Sequence, residues 1–587
     1  MAVRQYIGAR YVPRFSTIND GVWDNTYSYE ALEIVKYGND YYTSKIPVPV
    51  GVAITNTQYW VKTGDYNGAI ANLQEEIELI KDRCVSLNEF STPQAGVEYA
   101  HNNGINLLIL TDDLVLSKTL YLYDNMILDG QMHRIDCTEN FTGFRVFTNY
   151  NSGYWNGDNT LYRPYVNSLG VNYNIEIRNI ILGTFHRSNK DYNGNDTGAN
   201  CKPRNWFAFD SIDGLHIHNI KSTDVVTENY AWLTQAKNVE IDHIAVNANW
   251  GSNPSGNIWI YTRFDSSTPT VENENYHIHD NILECKVDEA IALRSYNVGT
   301  FKNVIIDNCF LHGGNGQGVT LDNAQSAYDC NVVIDDCIFY NCGARMSNNL
   351  TGLKVRNSKF FSDSNNVSNQ GYYLRAMIRS GYTAFYSNWV IENCTFDSCY
   401  NYSGSIYFEK IASLKITGCS FTAVETDKEA IALGPIANVD ISDNKIAGFT
   451  NAISLYYDGT NRLESGIIHG NTIISCDRFI FVDYRIRHMS IMDNVLKYVR
   501  YGLYYKGVQA KNFIFDHNVA YGAINMIVLA SGQIPDNYKS LVRNNVMYKD
   551  SGSVNDFISD SISSLSKLVF DGNLVSIGYT DYVEYTP

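Results

Sequence analysis

Ile441-Ser-Asp-Asn-Lys-Ile446, Ile468-His-Gly-Asn-Thr-Ile473 and Ile491-Met-Asp-Asn-Val-Leu496 are three copies of one short pattern. Fourteen such segments recur at gaps of 21 to 37 residues, clustering near 25. Their first residues are Ile217, Ile241, Ile278, Ile306, Ile334, Val355, Ile391, Ile416, Ile441, Ile468, Ile491, Phe515, Val542 and Phe570, and Ile177 starts an earlier copy. A strand-and-turn repeat of this length cannot bury its apolar side alone, so copies must stack. The pattern predicts an all-β, right-handed, single-stranded parallel β-helix with three short strands in each coil.

The residue three places after each lead is Asn or Cys. The asparagines are Asn281, Asn444, Asn471, Asn494, Asn518, Asn545 and Asn573, and the cysteines are Cys309, Cys337, Cys394 and Cys419. Coils stack at about 4.8 Å, so these side chains should form a column along the axis. Asn tolerates left-handed backbone at a tight turn, and stacked amides hydrogen-bond to one another. We therefore interpret the column as structural.

Composition narrows the class of protein. The chain has 587 residues, a formal net charge of −17, 12 cysteines and only 11 prolines. Its negative charge disfavours nucleic acid or an anionic membrane as the main partner. No apolar run reaches membrane-spanning length, and the start lacks the apolar core of a signal peptide, which favours a soluble protein made in the cytoplasm without membrane insertion. Column cysteines should be reduced thiols. The sequence suggests no cofactor and no metal site.

Residues 1–64 read differently from the repeats. An aromatic-rich alternating pattern surrounds a Gly38-Asn39 turn and ends at Tyr59-Trp60, which predicts a small antiparallel module. This stretch resembles short chitin- and cellulose-binding modules, whose exposed aromatic side chains stack on sugar rings. The alternative is that these aromatic residues form the core of a very small domain.

Residues 65–90 contain a heptad-like seam. Its positions are Ile70, Leu73, Ile77, Ile80, Cys84 and Leu87, with charged residues between them. Isoleucine at most seam positions favours more than two strands, so the seam predicts a short coiled-coil helix that acts as a trimerisation neck. The alternative is a single amphipathic helix that caps the solenoid.

Residues 91–587 begin with a predicted helix, Gln94 to Asn103, followed by Ser117-Lys-Thr-Leu-Tyr-Leu122 and Asn125-Met-Ile-Leu-Asp-Gly130. This order is similar to the start of the β-helix in phage tailspikes of the pectate-lyase-like superfamily. The opening MAVRQYIGARYVPRF and the aromatic module resemble neck-appendage and tail proteins of phages that infect Gram-positive bacteria. The resemblance implies a homotrimeric virion appendage, attached to tail or neck proteins through its N-terminal module. Its other partner would be a host cell-wall polysaccharide or teichoic acid.

Candidate chemistry lies where one strand of each coil ends. The final residues of these strands form the series Arg294, Asp322, Arg379, Glu409, Asp483 and Lys506. Adjacent coils should bring Arg294 near Asp322, while Asp288 and Glu289 precede the Arg294 strand. We expect Asp322 and Glu289 or Asp288 to form a carboxylate pair at about 6.5–9.5 Å, as inverting glycosidases require. The alternative is a solvated salt-bridge ladder on the solenoid surface.

Long insertions precede this patch and are rich in aromatic residues. Loops of a solenoid collect on one face and often form its binding wall. We expect Trp155, Trp259 and Tyr261 to stack on sugars, and Arg263 and Arg294 to meet a phosphate or carboxylate. Asp224 and Glu228 are reserve carboxylates.

Three functional classes remain open. The first is a tailspike that binds and hydrolyses a surface glycopolymer, as a glycoside hydrolase or teichoic-acid-type depolymerase. The second is a receptor-binding or structural virion protein of the same fold without enzymatic activity. The third is a cellular pectin-type lyase or hydrolase, which is disfavoured because the sequence has neither a secretion signal nor a stacked set of aspartates for calcium.

Overall fold

The chain folds as two compact units, Met1–Val85 and Ser86–Pro587. The computed structural model describes residues 13–65, 83–149, 171–183, 205–222, 229–248, 258–261, 273–285, 289–294, 301–313, 317–322, 330–347, 350–363, 372–377, 387–397, 404–423, 428–456, 463–483, 486–506, 510–529, 540–560, 568–578 and 581–585. Asp224, Glu228, Asp288, Arg263 and Trp155 lie outside these ranges.

The N-terminal unit contains a four-stranded sheet. Its strands are Arg14–Phe15, Glu33–Tyr37, Asp40–Ser44 and Trp60–Asp65, in that order across the sheet. The last three pair antiparallel, as predicted, but Arg14–Phe15 adds a parallel edge. Gly38 has φ of +63° at the hairpin turn, a conformation that glycine adopts without strain. A 3-10 turn spans Ile18–Gly21.

Several aromatic residues of this unit are core rather than exposed platforms. Tyr29 and Trp60 are 3% and 2% exposed and pack edge to face at 5.4 Å, alongside Val35, Val48 and Ile54. The alternative interpretation, a core built from aromatic residues, therefore describes this buried pair. Other aromatic residues of the unit, such as Tyr27, remain exposed.

The predicted coiled-coil helix is wrong at its C-terminal end. Cys84–Ser86 is a β-strand and Leu87–Glu89 is a 3-10 turn, so Cys84 and Leu87 do not belong to a helical seam. Leu87 is 1% exposed, and its Cδ2 lies 3.0 Å from the position a Cβ would take at Gly96. Its apolar character therefore serves packing against the following helix. The remainder of the seam, residues 66–82, lies outside the described residues.

The predicted helix at the start of the repeats is confirmed as Pro93–Asn102. Thr92 caps it by accepting a hydrogen bond from the Ala95 amide, and proline occupies the first helical position, where its missing N–H costs nothing. Val97 and Ala100 are buried on one side of this helix.

Three parallel sheets make up the solenoid. Strands of the first sheet carry the lead residues: Leu107–Ile109, Ile127–Asp129, Asn172–Leu182, Asn205–Ser222, Asn229–Ala248, Asn273–His279, Phe301–Asp307, Val332–Asp335, Leu353–Arg356, Asn388–Glu392, Ile411–Thr417, Ile436–Ser442, Ser465–His469, Ile486–Met492, Ala510–Asp516, Ser540–Arg543 and Leu568–Asp571. Strands of the second sheet follow a sharp bend: Leu114–Leu122, Arg134–Asn149, Ile282–Cys285, Phe310–Gly313, Ile338–Tyr340, Lys359–Phe361, Thr395–Asp397, Ser420–Thr422, Lys445–Ala447, Thr472–Ile474, Val495–Lys497, Val519–Tyr521, Val546–Lys549 and Leu574–Ile577. Strands of the third sheet are Ile258–Tyr261, Ile291–Arg294, Gln317–Asp322, Gly343–Ser347, Tyr372–Met377, Gly404–Phe408, Glu429–Leu433, Asn451–Tyr456, Arg478–Asp483, Tyr501–Tyr505, Asn525–Leu529 and Ile558–Asp560.

Register confirms the predicted β-helix. Ile416, Ile441, Ile468, Ile491 and Phe515 are partners in successive first-sheet strands, and each is fully buried. The longest early strands, such as Asn205–Ser222, run continuously from one sheet into the next. The strand Asp581–Glu584 pairs antiparallel with Leu574–Ile577.

The asparagine column is confirmed, with one correction. The Asn494 side chain donates to Asn518 Oδ1 at 2.9 Å and to the Ile468 carbonyl at 3.0 Å, and it accepts from Asn471. The left-handed residue, however, is the one before the column: Asp493 has φ of +56°. The column asparagine instead uses its amide to satisfy backbone groups of adjacent coils, which is why it must be buried.

The cysteine column is confirmed as thiols. Nine cysteines of the described ranges are free, and the four column cysteines are at most 2% exposed. Cys394 donates to the Val355 carbonyl at 3.6 Å, so the thiol takes the place of the asparagine amide. Across the described residues, no helix is both long and apolar enough to cross a membrane.

Candidate functional site

The predicted row of strand-end residues belongs to the third sheet. Arg294 and Asp322 are register partners, as predicted. Ser347 pairs with Met377, and Tyr456 pairs with Asp483. Extending the register of the other strands by one or two residues adds Glu409, Gly434 and Lys506 to the same row. Arg379 lies outside the described residues. We call the outward side of these strands the third-sheet face.

Arg294 is held at one end of the third-sheet face by Glu289. The two side chains form an ion pair, with Glu289 1% exposed and the Arg294 side chain 23% exposed. A buried carboxylate is costly unless it is paired. Glu289 therefore orients the guanidinium, whereas Asp322, in the next coil, is only partly buried. Glu289 thus pairs with Arg294 within one coil, and Asp322 is the register partner of Arg294 in the next coil.

Two other predicted binding residues lie on the strand next to that of Arg294. Trp259 and Tyr261 lie in the third-sheet strand Ile258–Tyr261, where Tyr261 is the register partner of Arg294. Their backbone thus continues the same row by one coil. Trp206, from an insertion expected to form a binding wall, is fully buried and stacks on Phe147 at 6.4 Å. It is a core residue.

A second carboxylate, which the sequence analysis missed, lies further along the third-sheet face. Glu429 accepts hydrogen bonds from Asn451 at 3.0 Å, from Ser454 at 2.8 Å and from the Tyr456 hydroxyl. The Tyr372 hydroxyl approaches its other oxygen at 3.4 Å. Burial, followed by the bond to Glu429, raises the pKa of Tyr456. Tyr456 thus remains a neutral donor to this carboxylate.

Glycines allow side chains to pack closely beside Glu429. A Cβ at Gly404 would lie 2.8 Å from Tyr372 Cε1, so the Tyr372 ring occupies the space beside that glycine. A Cβ at Gly434 would lie 2.6 Å from Glu409 Cβ, so Glu409 also packs over a glycine. We call Glu429 and its partners Tyr372, Asn451, Ser454 and Tyr456 the Glu429 cluster.

Stacked aromatic side chains flank Glu429 in the coils before and after it. Tyr372 and Tyr407 stack at 5.1 Å before it, and Phe481 and Tyr504 stack at 5.9 Å after it. Arg478 lies over the Tyr504 ring at 4.8 Å. Flat aromatic surfaces beside carboxylates and an arginine are suited to sugar rings that carry anionic groups.

A repeated hexapeptide was the signal for Glu429. Glu289-Ala-Ile-Ala-Leu-Arg294 recurs as Glu429-Ala-Ile-Ala-Leu-Gly434. Glu289 precedes the third-sheet strand Ile291–Arg294, and Glu429 begins the equivalent strand Glu429–Leu433. The strands of Asp322 and Glu429 are four coils apart, about 19 Å along the axis, so the two carboxylates cannot act on one bond.

Family comparison agrees with the coiling described above. The family described as "Right handed beta helix region" matches residues 290–464 and 382–547. None of the curated proteins matches the chain.

Solved structures similar to this chain include three phage tailspikes. The tailspike of Pseudomonas phage phi297 is 13% identical, with 66% of this chain and 73% of that chain covered and a TM-score of 0.42. A mutant tailspike protein of E. coli bacteriophage HK620, in complex with a pentasaccharide, is 13% identical, with 89% and 81% covered and a TM-score of 0.42. Tailspike protein 3 of bacteriophage CBA120 is 11% identical, with 96% and 78% covered and a TM-score of 0.29.

Proposed function

We propose that this protein is a phage tail appendage that binds a bacterial surface glycopolymer during adsorption and hydrolyses it. The observation that carries the proposal is the third-sheet face, where stacked tyrosines, Arg478 and the Glu429 cluster come from successive strands of one sheet. Polymer recognition needs such an extended face, because each coil adds contacts for another part of the chain. The sequence resemblance to tailspikes and to appendages of phages infecting Gram-positive bacteria supports the same role.

Within this proposal the residues have separate tasks. Asp322 is the first candidate for acid–base catalysis, with Glu289 and Asp288 as the carboxylates from the preceding coil. Arg294 and Arg263 would hold a substrate phosphate or carboxylate. Trp155, Trp259 and Tyr261 would extend the sugar-stacking surface. A cell-wall polysaccharide or teichoic acid of a Gram-positive host carries the matching chemistry.

A second function, receptor binding without hydrolysis, is favoured by one observation. Glu289 is buried and ion-paired with Arg294, which suits an orienting residue better than a proton donor that must reach a substrate. In that case the carboxylates would only hydrogen-bond to sugar hydroxyls.

Cleavage of host polymer separates the two functions. Full-length protein is incubated with purified host wall polymer, and reducing ends and released phosphate are measured. Asp322→Asn should lower the rate by about 10²–10⁴-fold while binding persists. Glu429→Gln tests the Glu429 cluster, and Asp335→Asn, on the first sheet, is the matched control. Activity that survives Asp322→Asn, Glu289→Gln and Glu429→Gln would exclude these carboxylates, and an inactive wild type would favour receptor binding.

Binding is tested on the aromatic border. Tyr407→Ala should weaken retention on immobilised host polymer, because stacking on the third-sheet face is lost. Tyr340→Ala, on the second sheet, should leave retention unchanged. Equal effects of the two variants would contradict the assignment of the glycan to the third-sheet face.

We also propose that the appendage is a homotrimer whose neck lies within residues 65–83, before the strand Cys84–Ser86, and whose residues 1–64 attach to tail or neck proteins of the virion. Light scattering of the full-length protein that gives the mass of a monomer would refute the trimer. Labelled residues 90–587 should still bind host cells, and host labelling by residues 1–64 alone would reverse the assignment of the two ends. Synthesis in the host cytoplasm and a final location in the virion follow from this role.

A further inference from the structure

The outward side of the first sheet carries histidines and carboxylates in alternate coils. In coil order, the first row contains Glu176, His216, Glu240 and His277. The second row, two residues further along each strand, contains Arg178, His218, Asp242 and His279. The two row residues of a coil lie on either side of a buried isoleucine, such as Ile278, so both side chains point away from the core. A His-x-His coil thus follows a coil with glutamate in the first row, twice in succession. We call this surface the histidine strip.

The two halves of the histidine strip repeat the same geometry. Glu240 Oε1 lies 3.1 Å from His279 Nε2, and Glu176 Oε1 lies 3.1 Å from His218 Nε2. The paired imidazoles of each coil stack, at 3.9 Å for His277 and His279. In each half the glutamate and the two histidines offer three ligand atoms within 4.8 Å of one another.

These dimensions match those of a transition-metal site. Ligand atoms about 2.0–2.1 Å from a tetrahedral ion are roughly 3.3 Å apart. The distance between Glu240 Oε1 and His279 Nε2 is already of that size, and small side-chain rotations would bring the His277 ring to the same ion. Two imidazoles and one carboxylate suit Zn²⁺, Co²⁺ or Ni²⁺, whereas Ca²⁺ and Mg²⁺ prefer oxygen ligands alone.

Neighbouring carboxylates orient these histidines. Asp280 Oδ2 lies 2.7 Å from His279 Nδ1, and Asp307 Oδ1 lies 2.8 Å from His277 Nε2. A carboxylate on the second ring nitrogen fixes the tautomer and raises the basicity of a metal-ligating histidine. Asp242 adds a further negative charge, with Oδ2 3.9 Å from His279 Nε2. This surrounding charge favours a cation.

The two halves differ in one respect that predicts their relative affinity. Arg178 Nη1 lies 2.7 Å from Glu176 Oε1, and Arg178 also contacts Asp129. A fixed guanidinium on the ligand oxygen competes with a metal ion. The half that contains Glu240 should therefore bind more tightly.

We propose that Glu240, His277 and His279 bind one divalent transition-metal ion that joins two adjacent coils of the solenoid. The ion would leave at least one coordination position facing outward. Nearby, Glu240 borders an open recess of about 320 Å³, whose lining also includes Glu176 and His216. The coil that supplies His277 and His279 continues into the strand that ends at Arg294. The ion would thus stiffen the coil that carries part of the proposed glycan face, although its binding does not depend on that function.

Metal titration of the full-length, untagged protein tests the proposal. Calorimetry with Zn²⁺ and the visible absorption of added Co²⁺ should show one tight ion per chain, with thermal stability rising as Zn²⁺ is added. His277→Gln and the isosteric Glu240→Gln should each weaken binding at least 10-fold. His469→Gln, a first-sheet histidine whose Nε2 lies 3.7 Å from Asp440, is the matched control and should bind like the wild type.

The proposal would be overturned if the wild type showed no saturable binding below millimolar Zn²⁺. It would also be overturned if both His277→Gln and Glu240→Gln bound the ion as well as the wild type. Either result would identify the histidine strip as an ion-pair ladder without a metal. Loss of the tight ion in His216→Gln but not in His277→Gln would also refute the assignment. A second, weaker ion that His216→Gln removes would support it, because the Glu176 half has the same geometry.

Discussion

Replacing Asn494 by alanine should destabilise the solenoid far more than an average substitution. The Asn494 amide donates to the carbonyls of Ile468 and Met492 at 3.0 and 2.9 Å, and its oxygen accepts from the Asn471 backbone N–H at 3.0 Å. Alanine removes these three hydrogen bonds, although the Met492 carbonyl still accepts from the Gly470 amide at 3.3 Å. At about 1 kcal/mol for each lost hydrogen bond, the free energy of unfolding should fall by about 3 kcal/mol.

The chain itself supplies the control, because cysteine occupies the same column elsewhere. Cys419 Sγ accepts from the Cys394 amide at 3.4 Å and donates to the Ile391 carbonyl at 3.8 Å, so a thiol keeps weaker versions of the same bonds. Asn494→Cys should therefore cost less than half of what Asn494→Ala costs.

The free energy of unfolding from urea denaturation, with hydrogen exchange of peptides from residues 465–497, measures both variants. Exchange reports local opening even where unfolding of a long solenoid is not two-state. A loss below about 1 kcal/mol for Asn494→Ala, or equal losses for alanine and cysteine, would refute the claim that these hydrogen bonds hold the coils together.

Two further predictions follow from packing and charge. Burial raises the pKa of Asp129, but hydrogen bonds, the largest from Asn179, outweigh it and leave the pKa below its ordinary value of 3.8. The ionised carboxylate thus stabilises the fold above about pH 4, and this stabilisation is lost as the pH falls through the folded pKa. The melting temperature of Asp129→Asn should therefore fall less between about pH 5 and 2.5 than that of the wild type. Gly343→Ala should prevent soluble expression or lower the melting temperature strongly, because its Cβ would lie 2.0 Å from the Tyr373 carbonyl oxygen, whereas Gly466→Ala, which meets side chains at 3.1 Å or more, should be mild.

The repeat could be predicted because one physical constraint recurs in every coil. A lead such as Ile441 must face the core and Asn444 must satisfy backbone groups of adjacent coils, so both residue types return at each turn of the chain. The sequence could not show which residue of the turn takes the left-handed conformation, because Asp443 and Asn444 both tolerate it. The structure assigns it to Asp443, because the following asparagine must turn inward.

Features outside the period were harder to predict. For the coil of Tyr372–Met377 the spacing pointed to Arg379, whereas the register pairs Met377 with Ser347, which the sequence alone could not indicate because an insertion follows that strand. Leu87 matched a heptad by spacing alone, although it packs against a helix of the solenoid. Glu429 and the histidine strip were missed because they repeat over only two or four coils.

The asparagine column also bears on how the length of such a protein can change. Each column amide presents the same donor and acceptor upward and downward, so a coil inserted between Asn471 and Asn494 would meet the partners it needs on both sides. Duplication or deletion of whole coils would then change the length of the solenoid in steps of about 4.8 Å without changes to the interior. A partial coil would interrupt the hydrogen bonds between column asparagines. The solenoid should therefore lengthen or shorten in evolution by about one coil at a time, and related chains should differ in length by such units.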